Sequence, residues 1–189
     1  MIGALVSGLG ACAVDGRWRG AAEEAQYEQA LGGGTLAAPR ANRFYAEVHR
    51  DARIYVFADA DVYARFLWSG RIEHAVTAIG AGANGQTVQF ALSRAEAREQ
   101  ERRVAWRGAA QAMFEGLLAG DGESFYGEVY RDGRIYVFAS WAALQRFRRD
   151  GALPDAERLT DFGPEQQTVI VAGPVEATLT RFRAIHHRY

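Results

Sequence analysis

The 189-residue chain contains no lysine; all 22 of its basic residues are arginine. Set against 23 acidic residues, they leave a net charge of −1. That balance removes the broad positive field that draws a protein to nucleic acid or to an acidic membrane. Arginine throughout is what a GC-rich coding sequence produces, and by itself it assigns no binding role. There is one cysteine, Cys12, so neither an internal disulfide nor a cysteine-based metal cage can form. No serine occupies a Gly-x-Ser-x-Gly elbow, which leaves nucleophilic catalysis of the familiar kinds without a candidate. The four histidines are His49, His74, His186 and His187. Neighbours on a helix diverge by about a hundred degrees, so His186 and His187 chelate poorly together and are expected to be solvated near the chain end. No metal and no cofactor is expected.

What is present is a recurring pattern. Hydrophobic residues make up 49% of the chain and charged residues 24%, the balance of a folded globular protein. Trp18-Arg19-Gly20-Ala21-Ala22 returns letter for letter as Trp106-Arg107-Gly108-Ala109-Ala110. The run from Phe44 to Ala58 returns as Phe125 to Ala139, Arg65-Phe66 as Arg146-Phe147, and Gln86-Thr87-Val88 as Gln167-Thr168-Val169. Agreement of separate segments in the same order is the mark of an internal repeat. The pattern divides the chain into an expected signal or anchor with its tether (1–17), repeat unit 1 (18–93), a connector helix (94–105), repeat unit 2 (106–173) and a C-terminal helix (174–189).

Each unit is expected to run helix, β-hairpin, helix, two strands. The opening helix is placed at about 19–31 in the first unit and at the end of a longer helix in the second. Ser93, with Glu96 three residues on, forms a capping box that starts this longer helix. Its first half, rich in Arg and Glu, reads as a solvated connector. Asp132-Gly133 between two β-rich runs is a strong hairpin signal. It sets Val129 opposite Tyr136 and Gly127 opposite Phe138 on one face, taken as the core face, with Glu128–Val137 and Tyr130–Ile135 on the other. The first unit has Ala52 where Gly133 stands, so its turn is expected to be strained or of another type. A short helix follows, capped by Asp59 or Ser140 and ended by Gly70 or Gly151, burying Val62 and Phe66 or Leu144 and Phe147. Strands at about 74–79, 86–92, 157–162 and 167–172 and a helix near 175–186 complete the reading. The fold class is α+β, a tandem duplication with antiparallel sheets, helices on one face and pseudo-twofold symmetry. Gly80-Ala81-Gly82-Ala83-Asn84-Gly85 fits the G-x-G-x-x-G string. A strand follows it instead of a helix N-terminus, so it is read as a hairpin loop and not a dinucleotide site.

Two resemblances add to this. Leu9-Gly10-Ala11-Cys12, after the apolar stretch from Ile2, resembles a bacterial lipobox, although no Arg or Lys precedes the stretch. It implies lipidation at Cys12 and a place in the cell envelope, with a cytoplasmic location as the alternative. Gly133-Arg134-Ile135-Tyr136-Val137-Phe138-Ala139-Ser140, with the next helical aromatic nine positions beyond the strand phenylalanine (Phe138 to Phe147, Phe57 to Phe66), resembles the hairpin–helix core of YHS-type domains over about 25 residues. The metal binding proposed for that family rests on cysteines, which this chain lacks at those positions.

The polar set that recurs is Glu47, Arg50, Asp51, Arg53 and Tyr55, with Glu128, Arg131, Asp132, Arg134 and Tyr136. Arg50 is expected to face Arg53 across one hairpin tip, and Arg131 to face Arg134 across the other. Like charges set opposite are unfavourable, so the forks either hold an anion or pair with neighbouring carboxylates. The favoured function is a non-enzymatic envelope protein that binds a partner protein or small ligand between its two units. The alternatives are a cytoplasmic anion binder using the arginine forks, and an enzyme drawing on Glu47, Glu128, Tyr55 and Tyr136. A paired-carboxylate mechanism needs its two glutamates within about 5–10 Å. No nucleic-acid partner is expected, and membrane contact only through Cys12.

Overall fold

The hairpins form as their sequences require. Strand β1 (Phe44–Arg50) turns through Asp51 and Ala52 into β2 (Arg53–Phe57), and β5 (Tyr126–Arg131) turns through Asp132 and Gly133 into β6 (Arg134–Phe138). The second hairpin carries the expected register, with Val129 opposite Tyr136 and Gly127 opposite Phe138. Both central residues of each turn have positive φ, including Ala52 at 57°. The alanine adopts the left-handed conformation that glycine takes freely, so the first turn is the strained one.

These facts come from a computed structural model that describes residues 42–103, 106–122 and 124–187. The expected helix at 19–31, the Trp18–Ala22 segment and Cys12 lie outside the described residues. Helix α1 (Ala60–Ser69) starts where the Asp59 carboxylate accepts from the Asp61 and Val62 amides, and it ends at left-handed Gly70. Strands β3 (Ala75–Ala78) and β4 (Thr87–Ala91) pair antiparallel, so the glycine-rich loop between them is a hairpin loop. Helix α2 (Arg94–Arg102) has the Ser93–Glu96 capping box and buries no residue, as a solvated connector should. It does not run on into the next unit: Arg103 ends it, and a separate helix α3 (Ala109–Phe114) follows. Glu96 reaches across the break, and its second oxygen accepts from the Ala109 amide at 2.9 Å. Helix α4 (Trp141–Asp150), strands β7 (Glu157–Leu159) and β8 (Thr168–Ala172), and helix α5 (Val175–His186) complete the chain.

The fold is mixed α and β, and the sheet corrects two expectations. Among the described residues one sheet of eight strands runs β3-β4-β2-β1-β5-β6-β8-β7. It is not antiparallel throughout: β1 pairs with β5, β2 with β4 and β6 with β8 in parallel. Nor do the helices share one face. On one face Phe44, Val48, Tyr55, Phe57, Tyr126, Ile135 and Val137 pack with Val62, Tyr63 and Phe66 of α1 and Leu179, Phe182 and Ile185 of α5. On the other, Tyr45, Ile54, Val56, Phe90, Phe125, Val129, Tyr136 and Phe138 pack with Ala110 and Met113 of α3 and Leu144 and Phe147 of α4. The first is called here the α1 face and the second the α4 face. Parallel pairs need crossover helices, and crossovers in both halves cover both surfaces. The described residues fall in a single unit running from Pro39 to the end of the chain.

Candidate functional site

Alternate residues of a strand share a face, so Tyr45, Glu47 and His49 of β1 all point to the α4 face. Glu47 is 3% exposed. The Tyr45 hydroxyl donates to it, and His49 Nε2 lies 2.9 Å from its Oε2. From α4, Arg148 brings Nε to 2.8 Å from Oε1. The guanidinium also donates to the Phe114 carbonyl at 3.2 Å and lies 4.6 Å from the Phe114 ring centre.

Glu128 of β5 points to the α1 face and is fully buried. Its Oε2 accepts from the Tyr126 hydroxyl at 2.7 Å and its Oε1 from the Tyr63 hydroxyl of α1 at 2.5 Å. His186 Nε2, from α5, stands 3.1 Å from both oxygens. The His186 ring packs on Phe182 with centroids 4.2 Å apart and meets Tyr63 edge-on. Its side chain is 5% exposed, which corrects the expectation of a solvated histidine. His187, beside it, is exposed.

Burying a carboxylate without partners costs several kcal/mol, and both glutamates avoid that cost. Burial pushes the Glu47 carboxyl up, but the His49 hydrogen bond, the Arg148 charge and the Tyr45 hydroxyl outweigh it and hold the pKa below the usual carboxylate value. At Glu128 burial is likewise outweighed, by the charge and hydrogen bond of His186 and by the two tyrosines, and this pKa too is lowered. Burial, reinforced by the adjacent carboxylates, pushes the Tyr45, Tyr63 and Tyr126 hydroxyls well above their ordinary pKa.

Each glutamate lies at the floor of a cleft. The cleft on the α4 face, about 520 Å³, is lined by Glu47, His49, Phe114, Arg131 and Arg148 and reaches the hairpin tips. The one on the α1 face, about 470 Å³, has apolar walls from Val48, Phe66, Leu67 and Ile135, is lined also by Arg50, Glu165 and Gln167, and has Tyr63, Glu128 and His186 below. No protein-family model matches the chain, and no characterised protein and no solved structure shows significant similarity to it. Function therefore has to be argued from the clefts alone.

The arginine forks form as pairs in the ladder, Arg50 with Arg53 and Arg131 with Arg134. The register places the first pair on the α1 face and the second on the α4 face, so they do not merge into one site. Arg50 stands 3.6 Å from Asp51 and over the Tyr55 and Phe66 rings. Arg131 stands 3.7 Å from Asp132 and 4.7 Å above the Phe147 ring. Pairing with the adjacent aspartate and stacking on a ring account for Arg50, while Arg131, similarly placed, keeps its Nε buried without a hydrogen-bond partner. Tyr55 and Tyr136 are core residues packed on Phe66 and Phe147. Glu47 and Glu128 project from opposite faces of the sheet, so the structure does not bring the proposed catalytic set of Glu47, Glu128, Tyr55 and Tyr136 together.

The sequence carries signals for the partners of the glutamates. Tyr45-x-Glu47-x-His49 and Tyr126-x-Glu128-x-Tyr130 put each glutamate in step with aromatic neighbours on one strand face. Leu179, Phe182 and His186 follow the i, i+3, i+7 spacing of a buried helical stripe.

Proposed function

We propose that the chain is a duplicated binding module, two related halves about a pseudo-twofold axis, that takes a small molecule where the halves meet. One observation carries this: each half's buried glutamate floors a cleft walled by the other half's helix. Glu47 meets Arg148 of α4, and Glu128 meets Tyr63 of α1. Neither cleft can be built by one half. The cleft on the α1 face has the better recognition chemistry, because apolar walls over a few convergent polar groups are what small-ligand sites use. Its volume lies within the range of about 300–1,000 Å³ typical of such sites. The test is a protein-observed NMR screen of small organic fragments against the full chain. Hits that move Leu67, Ile135 and His186 together are expected; hits scattered over the surface, or none, defeat the reading.

A second reading rests on Arg53 and Arg134, which have no ion-pair partner among the described residues. Each hairpin tip then offers one uncompensated guanidinium to an anion. Phosphate-dependent thermal stabilisation that disappears in Arg131→Ala/Arg134→Ala supports it; equal stabilisation of the variant defeats it. The place of action stays the cell envelope through a lipid at Cys12, with the cytoplasm as the alternative. Intact mass of the protein expressed from its own locus decides this: a diacylglyceryl-modified chain beginning at Cys12, against an unprocessed soluble species. Among the described residues no helix is long and apolar enough to cross a membrane.

A further inference from the structure

Histidine 186 has two ring nitrogens, and the protein uses only one. Nε2 is turned onto Glu128, 3.1 Å from both carboxylate oxygens. A carboxylate only accepts, so whenever the ring carries a single proton Glu128 claims it at Nε2. Nδ1 is then a lone-pair acceptor. No described residue bonds it, nor is it among the buried atoms left without a partner, and His186 lines the open cleft. Phe182 packs along one side of the ring and Tyr63 meets it edge-on. Tyr63 and Tyr126 occupy the remaining positions on Glu128 and so hold the carboxylate itself in place.

We infer that the cleft on the α1 face is specific for a largely apolar molecule carrying one hydrogen-bond donor, an aromatic or aliphatic hydroxyl, which it presents to His186 Nδ1. The apolar walls of Val48, Phe66, Leu67 and Ile135 take the body of the ligand and His186 takes the donor. Glu128 is the positioning residue, acting through the tautomer it imposes. The equivalent carboxylate on the α4 face also holds a histidine, His49, but there Arg148 occupies the carboxylate as well and charged tips line the cleft. That cleft sets Ile54, Phe114 and Phe147 among the arginines and aspartates of both hairpin tips, a charged surround for an apolar body, so His49 serves as an internal control. The inference rests on the binding function proposed above and adds the class of ligand.

The experiment uses the full chain with 15N-labelled histidine and two probes of the same shape, 2-naphthol and its methyl ether, which has no donor. Long-range 15N–1H spectra read the tautomer directly. At a pH where the ring carries a single proton, His186 is expected to hold it on Nε2, and 2-naphthol to shift its Nδ1 resonance saturably while His49 stays still. The naphthol should bind about fivefold more tightly than the ether, the worth of one hydrogen bond. In His186→Phe, which keeps a ring against Phe182, the naphthol should fall to the affinity of the ether. Glu128→Gln should lose the single-tautomer signature, and if that variant fails to fold, His186→Phe still decides. A proton found on Nδ1, or equal binding of the two probes with both moving cleft resonances, overturns this inference and leaves the cleft a binding site. No saturable binding of either probe overturns the binding function together with it.

Discussion

At the scale of single residues, two positions have measurable consequences. Ala52 holds φ 57° in a turn where its counterpart is Gly133. A side chain in that conformation costs roughly 1 kcal/mol, so Ala52→Gly should raise stability by about 1 kcal/mol in urea denaturation. The other is the pair of buried glutamates. Their carboxyls titrate lower in the folded chain than in the unfolded one. Ionisation therefore stabilises the fold fully above the unfolded carboxylate range, about pH 4.3, and that contribution is lost as pH falls through the lower folded-state values. Urea midpoints taken from pH 7 down to pH 3 should drop, and the drop should be shallower in Glu128→Gln. The buried tyrosines give the opposite limb. Tyr45, Tyr63 and Tyr126 titrate higher when folded, so they stabilise below about pH 10 and lose that contribution as pH rises beyond it. Ultraviolet titration should show these three ionising only as the fold is lost.

At the scale of elements, local rules were legible and the assembly was not. The caps Asp59, Ser93 and Ser140 and the stops Gly70 and Gly151 lie where the sequence placed them, because capping depends on residues a few positions apart. Ser140 accepts from the Ala143 amide, and Ser140→Ala should cost about 1 kcal/mol of stability by thermal denaturation. The hairpin registers were legible for the same reason. The parallel pairs were not, since β1 and β5 meet across some eighty residues of intervening chain, and nothing local records that contact. One clue was available: Ile54-Tyr55-Val56-Phe57 and Ile135-Tyr136-Val137-Phe138 are apolar at every position, the pattern of strands covered on both faces. Choosing one core face discarded it. The break after Arg103 was hidden because Arg103, Ala105 and Arg107 favour helix, although Gly108 signals a stop. At the candidate site, Glu47 and Glu128 were found by recurrence alone. Their partners Tyr63, Arg148 and His186 come from other elements and needed the fold.

For the whole molecule, the decisive contacts cross between halves. The β1–β5 pair sits at the centre of the sheet, and the Glu47–Arg148 and Glu128–Tyr63 contacts lie on either side of it. Expressed alone, residues 94–189 would leave Glu128 without Tyr63, Arg148 without Glu47, and β5 with an open edge. That fragment should show no cooperative thermal transition by circular dichroism. A sharp transition near that of the full chain would mean that the halves fold independently of the shared clefts.

Among the described residues the sheet is open, and its two outermost strands are β3, four residues long, and β7, three. A second molecule approaching edge to edge would find only a few unpaired backbone groups at either margin. That is too little to offset the freedom lost on association. Concentrated solutions of the protein should accordingly resist fibre growth from these margins, and a change that lengthened β7 would put that resistance at risk.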